Sequence, residues 1–152
     1  MKKIKWKKKY EVGNYEIDAE HKLFVRIIQK FADSLTNKAD NYYIERLINE
    51  LLKYAEFHFY SEETIMIEIE YPDIIRHKQE HEKLLEQMRN MVMIVEMDDE
   101  KIYESDYTNF LLNWFVNHTI KQDQKLAKYI NLSKNQQSQT CKPVQNLQDN
   151  DH

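Results

Sequence analysis

The chain repeatedly places histidine or a carboxylate where a helical core calls for leucine or isoleucine. His77 and His81 are four residues apart and continue an apolar seam through Ile74, Leu84, Met88, Met91 and Val95, the spacing that stacks side chains on one helix face. His58 and Glu62 extend the series Ile44, Ile48, Leu51 and Ala55 in the same way, His118 follows Trp114 by four, and His21 precedes Phe24 by three. Each pattern alone has an ordinary explanation. A single inward histidine is commonly a hydrogen-bonded core or rim residue, and HxxxH or HxxxE pairs also occur on exposed helix faces.

Their convergence changes the reading. Five of the six histidines fall on apolar faces of four separate segments, and the sixth, His152, lies at the chain end. Burying five imidazoles and a carboxylate without partners costs on the order of several kcal/mol, a large share of the about 5–15 kcal/mol by which a domain is stable. A shared metal site removes that cost. A second carboxylate is expected at such a site, and Asp123, five residues after His118, is the candidate. In an α-helix five residues turn through about 140°, so Asp123 is expected to reach in from the flank. A solvated aspartate between Lys121 and Lys125 is the alternative. Imidazole and carboxylate suit zinc as well as iron.

Four amphipathic segments must position these groups. The first is expected to open at Asp18 as N-cap, carrying Phe24, Ile27, Ile28, Phe31 and Leu35 on one face, with His21 in its first turn. The second runs from about Asn41, and the third follows Pro72 and ends at Asp98 and Asp99. The fourth starts near Ser105 and carries Tyr107, Phe110, Leu111, Trp114, Leu126 and Ile130. Short connections between such helices predict an all-α, antiparallel, up-down-up-down four-helix bundle over residues 18–131. Residues 1–17 form an irregular arm whose Trp6, Tyr10 and Tyr15 are placed to cover one end, with a turn at Gly13. Residues 132–152, rich in Asn and Gln, are expected to be a disordered tail.

Composition narrows the function further. One glycine and two prolines among 152 residues leave too few turn formers for a sheet-rich fold and no glycine pair for a phosphate-cradling loop. The lone Cys141 can form no internal disulfide and no Cys-based zinc site. Six lysines lie within the first nine residues and leave the rest of the chain strongly acidic. Such an arm can touch nucleic acid or anionic lipid, but it reads more simply as a solvated strand on a body that disfavours nucleic acid. With no apolar signal segment and no stretch long enough to span a membrane, a soluble, cytoplasmic protein is expected.

Taken in order, Trp6, Tyr10, Val12-Gly13 and Ile17-Asp18-Ala19-Glu20-His21-Lys22, then Tyr54 to Glu63, His77-Lys78-Gln79-Glu80-His81, and Trp114 to Asp123 resemble the hemerythrins, in particular their single-domain bacterial members. The resemblance spans about residues 6–131. It implies a bundle holding two non-haem iron ions joined by an oxo or hydroxo bridge. His77, His81 and His118 would ligate one iron, His21 and His58 the other, and Glu62 and Asp123 would bridge both. That donor set leaves one octahedral position open, on the iron with two histidines, where O2 would bind. Phe24, Phe59, Trp114 and Phe115 are candidates for an apolar wall that excludes water and anions. Thr119 stands where the family commonly has isoleucine directly after this histidine, putting a hydroxyl near the pocket.

The function implied is reversible O2 binding, for storage or for delivery to oxygen-requiring enzymes through transient contacts of a monomer. The protein would then be no enzyme. The competing class is a di-iron oxidase, peroxidase or nitric-oxide-handling enzyme, with O2 or iron sensing and iron storage as a third. Ferritin-like catalysts take mostly glutamate ligands, and the histidine-rich set here favours binding over oxygen activation.

Overall fold

The computed structural model describes residues 5–97 and 104–140. Its elements are a short 3-10 turn at Lys8–Tyr10, then helices α1 (Tyr15–Thr36), α2 (Asn41–Glu68), α3 (Ile74–Met97) and α4 (Glu104–His118), a π-helical turn at Thr119–Asp123, and α5 (Gln124–Thr140). Among the described residues there is no strand. With α4, the π turn and α5 counted as one continuous rod, the molecule is the expected antiparallel four-helix bundle. His21 near the start of α1 meets His58 late in α2, and His81 early in α3 meets His118 at the end of α4.

Helix α1 starts earlier than Asp18. Asn14 is its N-cap, accepting from the backbone N–H groups of Glu16 and Ile17 at 3.1 Å each. Asp18 instead reaches back from the first turn to accept from Val12 N–H at 2.8 Å and Gly13 N–H at 3.2 Å. It thereby holds the turn that Gly13 makes at φ +89°, and its charge complements the helix N-terminus. Asp40 caps α2 through Tyr43 N–H at 2.9 Å. The expected end of the third helix at Asp98 and Asp99 lies outside the described residues, as do residues 141–152 of the tail.

At the other end the helix continues past residue 131 to Thr140. Leu126, Ala127 and Ile130 are buried and anchor its first turns, and extending an anchored helix costs far less than nucleating one. The arm also packs differently from the expectation. Tyr10 is buried edge-on against Phe115, with ring centroids 6.0 Å apart, and Trp6 packs on Tyr10 at 5.7 Å. Tyr15 is 88% exposed and covers nothing, because it already belongs to the outer face of α1. The arm therefore lies along the flank of the α1 and α4 helices.

The interior has three layers. A large apolar core includes Phe24, Phe31, Leu47, Ile48, Met88 and Leu111. A small one comprises Val12, Ile17, Met66, Tyr71, Leu126, Ala127 and Ile130. The histidines and carboxylates lie at the chain positions between them.

Candidate metal centre

All seven candidates are buried: His21, His58, Glu62, His77, His81, His118 and Asp123 are each 7% exposed or less. Their inward atoms form two overlapping groups. His21 and His58 join Glu62 and Asp123 in one, and His77, His81 and His118 join the same two carboxylates in the other, with the atoms of each group within 4.8 Å of one another. Each carboxylate divides its oxygens between the groups. Asp123 Oδ2 is 3.2 Å from His21 Nε2, while its Oδ1 is 3.3 Å from His77 Nε2 and 3.1 Å from His118 Nε2. Glu62 Oε1 is 3.7 Å from His58 Nε2, and its Oε2 is 3.3 Å from His81 Nε2 and 4.0 Å from His77 Nε2.

Asp123 arrives by a route that α-helical geometry does not offer. The chain widens into a π turn over Thr119–Asp123, and a π turn closes on residues five apart. Asp123 is thus brought onto the face of His118 and sits fully buried at 0% exposure, which corrects both the flank approach and the solvated alternative.

Hydrogen bonding within the protein does not account for this cluster. Both oxygens of Glu62, both of Asp123 and Nε2 of His77 are buried with no hydrogen-bond partner among the described residues, an arrangement that ordinarily costs too much to persist. Elsewhere nitrogen faces nitrogen: His21 Nε2 lies 3.2 Å from His58 Nε2, and His81 Nε2 lies 3.1 Å from His118 Nε2. Lone pairs converging from imidazoles and carboxylates are what a cation of the first transition row requires, so the residues present fit one.

Electrostatics agree. Burial pushes the Glu62 carboxyl up to about 7, with the Asp123 charge adding to the rise. Burial likewise pushes His81 down to about 3, helped by His118 and His77, so it offers a free lone pair at neutral pH. Burial opposes the charge on Asp123 and on His118, but each ion stabilises the other. Asp123 is held well below the usual carboxylate range and His118 is raised. A cation held by His118 and Asp123 would displace the His118 proton and take its place beside the carboxylate.

Aromatic rings close the cluster on the side of the large core. Phe59 stacks on His81 at 4.0 Å and meets His118 edge-on at 5.3 Å, Phe115 meets His21 edge-on at 5.4 Å, and Phe24 lies 6.3 Å from His58. Trp114 stacks on Phe24 at 5.4 Å and donates its indole N–H to Leu84 C=O at 3.3 Å. The side chain of Thr119 lies outside the described part of the structure. Sequence reasoning gave no role to Glu20 and Glu63. Glu20 accepts from Ser61 and faces His58, and Glu63 faces His81. Both fall beside a candidate ligand in the chain and off the apolar stripes, so only their adjacency could have drawn attention to them.

The fold and the site define a metal-binding four-helix bundle with a histidine-rich, carboxylate-sharing centre. The profile of the hemerythrin HHE cation binding domain matches residues 12–130, and the chain belongs to the hemerythrin family, whose members bind non-haem iron and O2. A bacteriohemerythrin of Clostridium acetobutylicum is 29% identical over 127 residues, covering 79% of this chain and 95% of that protein. One from Methylococcus capsulatus is 31% identical, covering 70% of this chain and 79% of that protein. Among solved structures, a hemerythrin point variant superimposes with a TM-score of 0.77 at 26% identity, covering 85% of this chain and 98% of that one. A wild-type hemerythrin gives 0.69 at 28% identity, covering 76% and 87%.

Proposed function

We propose that this protein binds O2 reversibly at a non-haem di-iron centre, serving oxygen storage or delivery to oxygen-requiring enzymes in the cytoplasm. One observation carries the reading: two buried donor groups share Glu62 and Asp123, each carboxylate turning one oxygen to each group. His21 and His58 would hold one iron and His77, His81 and His118 the other, with Glu62 and Asp123 shared between them. When bound, the iron pair supplies the electrons and the coordination vacancy that O2 requires.

The chain supplies the rest. Its imidazoles are neutral donors that keep the centre less anionic than a glutamate-rich one, and fewer anionic ligands stabilise high-valent iron less. Phe24, Phe59, Trp114 and Phe115, each 6% exposed or less, exclude water and anions from the ligand side, which opposes irreversible oxidation. This favours a carrier over an oxidase or peroxidase. The test is iron content together with the visible spectrum of anaerobically reduced protein, before O2, with O2, and after its removal. Two irons per chain and a band that comes and goes with O2 are expected. Irreversible oxidation with sustained turnover of a substrate would move the protein to the enzyme class, and absence of iron would sink the ligand assignment.

A further inference from the structure

The two donor groups are supported differently from behind. His58 Nδ1 lies 2.6 Å from Glu20 Oε2, and the other oxygen of Glu20 accepts from the Ser61 hydroxyl at 3.0 Å. His81 Nδ1 lies 3.0 Å from Glu63 Oε1, and the other oxygen of Glu63 meets Lys78 Nζ at 3.1 Å. Behind His21 there is nothing comparable, since its buried Nδ1 has no hydrogen-bond partner among the described residues. Glu20 and Glu63 are mostly buried, at 22% and 19% side-chain exposure, so their fields reach the imidazoles with little solvent screening.

An ionised carboxylate only accepts hydrogen bonds. The proton of His58 and that of His81 therefore belong on Nδ1, leaving each Nε2 lone pair aimed at the centre. The strength of the two supports differs as well. Ser61 is a neutral donor and leaves the charge of Glu20 to act on His58, whereas the ammonium of Lys78 offsets the charge of Glu63.

We propose that Glu20 and Glu63 are positioning residues acting through His58 and His81. Glu20, which meets no cation among the described residues, makes His58 the stronger donor, so its charge stabilises the oxidised state of the metal at His21 and His58 more than Glu63 stabilises that of the metal at His81. The inference rests on the di-iron reading.

The test uses the purified iron-loaded protein and E20Q, E63Q, K78M and E20L, read by iron content and by stepwise reduction potentials, with histidine tautomers followed by nitrogen-correlated NMR on the zinc-loaded protein. Glutamine keeps an acceptor of the same shape and removes the charge. E20Q is expected to keep both irons while reduction of the metal at His21 and His58 becomes easier, by about 59 mV for each tenfold loss of preference for the oxidised state. E63Q should move less in the same direction, and K78M should move the opposite way. E20L, which removes the acceptor, should weaken one of the two metals by about 10–100-fold and release the His58 tautomer. Potentials and tautomers unchanged in E20Q and E20L, a larger shift in E63Q than in E20Q, or a K78M shift towards easier reduction would each overturn the inference while leaving the metal centre standing. A wild-type protein without iron would overturn both.

Discussion

The same helices bury two layers by opposite means. Around Phe31, Leu47, Ile48 and Met88, all at 1% exposure or less, apolar side chains fill space and need only to be on the right face. One layer along, His21, Glu62, His77, His81 and Asp123 are buried just as deeply, but each must meet particular partners from other helices. Apolar burial tolerates small displacements because dispersion and the hydrophobic effect are non-directional. A converging donor set does not, because an imidazole lone pair displaced by an ångström leaves a buried polar atom unsatisfied. One layer should therefore govern stability with little effect on metal binding, and the other metal binding first.

The largest effect is expected at the π turn. Inserting one alanine after Lys121 should turn Asp123 by about 100° relative to His118, and Asp123→Ala removes the shared carboxylate outright. In both, iron should fall below two per chain and the O2-dependent band should vanish, with helicity by circular dichroism retained. Full iron content in the insertion variant would show that the five-residue spacing from His118 to Asp123 is dispensable.

In the apolar layer, Ile48→Ala should destabilise the fold by about 2–5 kcal/mol with iron stoichiometry unchanged, as urea unfolding and metal analysis of one preparation would show. Loss of iron in that variant would erase the contrast between the layers.

A smaller, pH-dependent effect separates them further. The Glu62 carboxyl is raised from 4.5 to about 7 in the fold, so the folded state binds more protons than the unfolded one over that window. Its contribution to metal-free stability falls as pH rises from 4.5 towards 7. In chelator-treated protein, Glu62→Gln should therefore be stabilising, by a margin that grows across this window to the order of 1 kcal/mol or more. In iron-loaded protein the same substitution should cost metal. A gain that does not vary with pH would contradict the raised carboxyl. At the small end, Lys30 and Glu50 form an exposed pair at 3.1 Å, and Lys30→Ala should change stability by less than about 1 kcal/mol without touching the spectrum.

Much of this was legible from spacing. Helical periodicity gave the faces of the helices because each face is a local property of the chain, and the same periodicity exposed His58, Glu62, His77 and His81 as polar residues at core positions. Capping was less legible. Asn14 and Asp18 are both good first-turn residues, and the choice between them depended on which one the Val12 and Gly13 N–H groups required. The end of the last helix also escaped, since the Asn- and Gln-rich composition after residue 131 says nothing about the anchoring that Leu126 and Ile130 provide from upstream.

The sequence by itself determined an all-α bundle, a set of buried donors and the helix on which each stands. Only the tertiary structure decided that the rod breaks into a π turn to bring Asp123 inward, that Glu62 and Asp123 divide their oxygens between two groups, that Glu20 and Glu63 stand behind His58 and His81, and that the arm lies along the bundle flank. The physical reason is range. Periodicity is set by neighbours three and four residues away, whereas each of these arrangements joins groups from different helices or requires a departure from α-helical spacing that becomes favourable only once a buried carboxylate has partners to meet.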